Sequence, residues 1–64
     1  MKNRVKELRD KRKITQEELA ALIGISRQAI NAIEKEKFDP SLPTAFKMAK
    51  LFDLSIEKIF LFKE

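Results

Sequence analysis

A single glycine sits between two helix-start signals, and that arrangement limits what residues 15–36 can become. Thr15-Gln16-Glu17-Glu18 has the spacing of a capping box. The threonine hydroxyl can accept from the amide three residues on, while the glutamate reaches back to the threonine amide. The helix that follows carries Leu19, Ala20 and Ile23 on one face. Gly24 stops it, because a left-handed residue after a helix is cheapest as glycine. Ser26 caps the next helix at once, with Ile30 and Ile33 on its inner face. So short a link makes the two helices cross steeply. Ala20 is small where their axes converge, and Ile25 can plug the angle between them.

Similar signals place three more helices. Asn3 can cap a first helix across Val5, Leu8 and Arg12. Asp39-Pro40 ends the loop after the third helix, since the residue before proline avoids helical angles. Ser41 or Leu42 then opens a fourth, with Pro43 in its first turn and Ala45, Met48, Ala49 and Phe52 at helical spacing. Ser55 caps a short fifth helix with Ile56, Ile59 and Phe60. The rings of Phe46, Phe52 and Phe60 are expected in the core rather than as base-stacking platforms. The reading is one all-α domain over residues 1–64.

The chain has no cysteine and no histidine. That removes disulfides and an ordinary zinc site, and leaves a small apolar core as the source of stability. No cofactor or metal is expected. Serine, aspartate, glutamate and lysine form no triad-like set, so no catalytic residue is assigned. No apolar run approaches the roughly 20 residues of a spanning helix, and nothing reads as a targeting segment. The missing cysteine fits a cytoplasmic protein. A net charge of +4 favours phosphate-bearing partners.

With Ile30 and Ile33 turned inward, Arg27, Gln28 and Asn31 occupy the outer side of the third helix, beside the methyl group of Ala32. Arginine can donate a bidentate pair to guanine, and glutamine or asparagine can pair with adenine N6 and N7. The first turn and a half is also where a recognition helix meets base edges. No acid lies at residues 27–29, whereas other helix starts use Glu17, Glu18 and Glu57.

On these residues, together with Ile33-Glu34 and the run from Asp39 to Leu54, the chain resembles the Cro/C1-type (XRE) helix-turn-helix family of phage and bacterial repressors. It is most similar to their compact single-domain form, the cytolysin-operon regulators. The resemblance implies a five-helix lambda-repressor-like fold with the helix-turn-helix at helices two and three. It implies base contacts from Arg27, Gln28 and Asn31, and phosphate contacts from Gln16, Ser26, Lys35 and Lys37. It also implies an internal salt bridge between Arg9 and Glu34.

The tail Phe60-Leu61-Phe62 is too apolar to stand in water. A homodimer through Ile56, Phe60, Leu61 and Phe62 is expected, with double-stranded DNA as partner and no membrane or small-molecule ligand. A short C-terminal strand, pairing with the N-terminal residues or with a second subunit, is the other use of that tail. The alternative function is an antitoxin or protein-interaction module built on the same fold.

Overall fold

The computed structural model describes residues 1–63. A two-residue strand β1 (Lys2–Asn3) leads into α1 (Val5–Lys11), α2 (Gln16–Ile23), α3 (Arg27–Glu34), α4 (Leu42–Phe52) and α5 (Ile56–Ile59), and strand β2 (Phe60–Leu61) follows. No described helix is long and apolar enough to cross a membrane.

The helix starts follow the caps. Thr15 Oγ1 accepts from the Glu18 amide at 3.0 Å, and Glu18 Oε1 accepts from the Thr15 amide at 2.8 Å. Ser26 and Ser41 cap α3 and α4 in the same manner, accepting from Ala29 and Thr44. Two starts differ from the reading. Arg4, not Asn3, holds the cap position of α1, although Asn3 Oδ1 still accepts from the Val5 amide at 3.1 Å. Ser55 holds the cap position of α5 without a side-chain hydrogen bond.

The helix ends are more uniform than the glycine count suggests. Gly24 adopts φ +85°. Lys13, Glu36 and Asp53 adopt φ between +56° and +61° at the ends of α1, α3 and α4. At each of these three corners the next amide reaches back to a carbonyl of the last helical turn: Ile14 to Arg9, Lys37 to Ala32, and Leu54 to Ala49. This closes the helix ends as a glycine would, against a steric cost that side chains carry in this region.

The core lies where the inner faces of all five helices meet. Val5, Leu19, Ile30, Ile33, Met48 and Ile59 are its fully buried members. Ile25 packs against this cluster from the turn, as the plug reading requires. Phe46 does not join it. Ala45, Met48 and Phe52 set the buried stripe of α4, and at 100° per residue Phe46 falls on the far side with Leu42, where it is 56% exposed.

The tail resolves as a strand. Phe60 leaves the helix and pairs with Asn3, while Leu61 pairs with Lys2, in an antiparallel ribbon made within one chain. The Arg4 amide donates to the Ile59 carbonyl at 2.8 Å, so the ribbon continues directly into the start of α1. Phe60 is thereby buried in its own core, whereas Phe62 is 72% exposed.

A methyl group added at Gly24 meets nothing within 4 Å, so only the left-handed backbone opposes a side chain there. Gly24→Ala is expected to lower stability by about 1 kcal/mol, read as a fall in melting temperature of about 4–8 °C for a domain of this size. Glu36→Gly is expected to shift the midpoint upward. Thermal or urea unfolding followed by circular dichroism checks both signs.

Candidate nucleic-acid interface

The site is built on the corner between α2 and α3. Its outer wall is the N-terminal half of α3, where Arg27 and Gln28 are exposed and Asn31 is half-buried. No acid occupies the first turn of α3, while α1, α2 and α5 each carry at least one. Arg27 also faces the start of α2 across an open groove lined by Arg9, Thr15, Gln16 and Glu17. Lys35 caps the end of α3 and Lys37 follows the left-handed Glu36, both in solvent.

Beneath this wall runs a connected polar network. Arg9 of α1 grips Glu34 at the end of α3 with two hydrogen bonds, Nε to Oε2 at 2.8 Å and Nη2 to Oε1 at 3.2 Å. The same guanidinium donates through Nη1 to the Ile14 carbonyl at 3.0 Å, which fixes the link between α1 and α2. The side chains are 10% and 4% exposed. Burying a carboxylate this far is costly unless its lone pairs are matched. The hydrogen bond to Glu34, ahead of its Coulomb attraction, raises the already high Arg9 pKa despite burial, so Arg9 remains cationic.

Gln16 joins the network from α2. Its Nε2 donates to Glu34 Oε1 at 3.0 Å and to Asn31 Oδ1 at 3.3 Å. Both hydrogens of that amide therefore point into the protein. For a phosphate near the start of α2, this leaves the backbone amides of the first turn as the donors, aided by the helix dipole. The inward commitment of Gln16 and its tie to Asn31 were invisible to sequence reasoning. Only the coincidence of a glutamine at the start of α2 with an acid at the end of α3 hints at it.

Two further bonds brace the pair of helices. Lys47 Nζ of α4 donates to the Ile23 carbonyl at 3.3 Å, placing a cation at the end of α2. Asn3 Nδ2 donates to the Ile33 carbonyl at 2.8 Å, tying the terminal ribbon to the end of α3. The arrangement thus fixes a helix in place while leaving the outward side chains of its first turns unpaired with acids among the described residues.

Comparison with known proteins agrees with this geometry. The family described as helix-turn-helix matches residues 5–59. A protein of Methanocaldococcus jannaschii named as an HTH-type transcriptional regulator is 53% identical over 64 residues, covering 100% of this chain and 97% of its own. The HTH-type transcriptional regulator YgzD of Bacillus subtilis is 44% identical, again with 100% and 97% covered. The crystal structure of the restriction-modification controller protein C.AhdI from Aeromonas hydrophila superposes with a TM-score of 0.79 at 32% identity, covering 89% of this chain and 86% of that one. The chain belongs to the helix-turn-helix family, in its Cro/C1-type (XRE) branch of transcriptional regulators.

Removing one partner of a buried, hydrogen-bonded ion pair typically costs about 3–5 kcal/mol. A domain of this length has a total stability of only about 3–10 kcal/mol. Arg9→Met is therefore expected to bring the protein close to unfolding at room temperature, because it strands the Glu34 carboxylate. The double variant Arg9→Met/Glu34→Met should be markedly more stable than Arg9→Met alone. A urea-denaturation double-mutant cycle measures the difference.

Proposed function

We propose that this protein is a sequence-specific repressor that binds double-stranded DNA as a homodimer, with α3 lying in the major groove. The observation that carries the reading is the first turn of α3: Arg27 and Gln28 stand exposed and acid-free on a helix whose far end is held by the Arg9–Glu34 pair. Arg27, Gln28 and Asn31 would read base edges. The start of α2 at Gln16, the cap at Ser26, and Lys35 and Lys37 would position the backbone.

The division of labour follows from charge. Phosphate contacts release counterions and give affinity without sequence choice, with the logarithm of affinity falling by about 0.9 per phosphate for each tenfold rise in salt. Bidentate base contacts add discrimination of about 1–3 kcal/mol each. Repression then needs only an operator that overlaps a promoter, where the bound protein excludes polymerase.

Dimerisation is proposed through Ile56, Leu61 and Phe62. Ile56 and Leu61 are half-buried and Phe62 is the most exposed large apolar side chain. Phe60 is buried in its own core, with little surface left to offer. A twofold dimer would set two α3 helices about 34 Å apart, which matches successive major grooves and calls for a near-palindromic operator.

Selection of bound sequences from random duplex DNA at fixed salt tests this reading. A motif with two inverted half-sites about one turn apart is expected; recovery of no motif would refute it. Arg27→Ala should flatten the preference at one position of each half-site. Lys35→Ala should weaken all sites alike and reduce the salt slope by about 0.9. Phe62→Glu should move the sedimentation coefficient toward that of a monomer.

A further inference from the structure

We infer that Asn3 is a positioning residue that couples the subunit interface to the reading helix. Its amide holds α3 at a fixed angle to the terminal ribbon, and so sets the spacing between the two α3 helices of a DNA-bound dimer. The inference rests on the proposed homodimer and on the proposed role of α3, and assigns what connects them.

Each end of the Asn3 amide has a partner. Its Oδ1 accepts from the Val5 amide at 3.1 Å, at the start of α1. Its Nδ2 donates to the Met1 carbonyl at 3.1 Å and to the Ile33 carbonyl at 2.8 Å. Turning the amide over would set Oδ1 against two carbonyls and Nδ2 against an N–H, so one orientation alone fits. The same residue pairs with Phe60 in the ribbon, next to the pairing of Lys2 with Leu61. Asn3 therefore stands between the tail proposed to meet a second subunit and the last turn of α3. Among the described residues, its bond to Ile33 is the one hydrogen bond that runs from either strand to that helix.

Direction is what this bond adds. Phe60 and Ile33 share the core, but apolar burial is non-directional and does not fix the angle between ribbon and helix. Arg9 grips the Glu34 side chain and orients α3 against α1. Asn3 grips the carbonyl of the preceding residue from the ribbon. Two directional contacts on one helical turn, made from two different elements, fix α3 relative to the interface. The end of α3 is closed without Asn3, because the Glu36 amide also donates to the Ile33 carbonyl at 3.0 Å and the Lys37 amide to that of Ala32 at 3.0 Å. Loss of the Asn3 bond thus loosens the angle of α3 to the ribbon while leaving the helix formed, with Arg27 and Gln28 still presented. One half-site would be read as before. A full operator would not, since its two grooves demand a separation of about 34 Å and recognising groups must be held to within about 0.5 Å.

The test measures affinity for three kinds of duplex: the operator selected by the unmodified protein, one half-site alone, and the operator with one base pair added or removed between half-sites. The unmodified protein is expected to lose about tenfold or more on either change of spacing, the scale of a mismatched base pair. Asn3→Asp keeps the acceptor for Val5 but sets an oxygen against the Ile33 carbonyl. It should sediment as a dimer and keep the half-site preference, while most of the spacing penalty disappears. Asn3→Ala should behave alike. Arg4→Met removes a guanidinium bond to the Lys58 carbonyl from the same corner without touching α3, and should keep the full penalty. An unchanged penalty in Asn3→Asp would overturn the coupling; in Asn3→Ala it would do so too, which covers the case of a poorly folded Asn3→Asp. A penalty lost equally in Arg4→Met would overturn it, because weakening of the ribbon in general would then suffice. Monomeric Asn3 variants would also overturn it, since Asn3 would then build the interface rather than connect it. If the unmodified protein is itself a monomer or selects no motif, the proposed function fails and the inference falls with it.

Discussion

The buried contact between Arg9 and Glu34 is the constraint on which the rest of the structure depends. One guanidinium reaches three elements: the end of α3 through Glu34, the α1–α2 link through Ile14, and, by way of Glu34, the start of α2 through Gln16. Hydrophobic burial brings these helices together without fixing how they are rotated about their own axes. A forked, nearly water-free ion pair does fix rotation, because its hydrogen bonds survive only within a narrow range of angles. The exposed edge of α3 is therefore set by a contact at the C-terminal end of that same edge, one helical repeat beyond Arg27.

That coupling explains why so small a core suffices. Ile30 and Ile33 are fully buried and hold α3 down, while Leu19 and Ile23 do the same for α2. The turn between them adds Ile25 rather than leaving a gap. Rigidity matters for recognition because a helix that enters a groove loses less conformational freedom if it is already ordered. Here order comes from packing below and from a polar network at the flank.

Much of this was legible in the chain. Thr15, Glu18, Ser26 and Ser41 act as caps because their side chains do the same thing wherever a helix begins. Gly24 was readable because its residue type suits a left-handed backbone. Lys13, Glu36 and Asp53 perform the same turn with residue types that carry no such signal, so those stops are not legible in the sequence. Phe46 was placed in the core on its chemistry, but the rotational phase of α4 decides burial, and that phase belongs to Ala45, Met48 and Phe52. The two-residue strands lie below the length at which alternation can be recognised. The direction of the Gln16 amide depends on a carboxylate 18 positions away, a relation that no local pattern encodes.

The terminal ribbon has a consequence for how the molecule is born. Ile59 and Phe60 complete the core against an N-terminal segment that a ribosome makes first, and the Arg4 amide waits for the Ile59 carbonyl. During synthesis α2 and α3 can meet as soon as they leave the exit tunnel, yet the apolar floor beneath α1 stays open until residues 59–61 emerge. The nascent chain thus carries its helix-turn-helix corner ahead of the segment that closes the core around it.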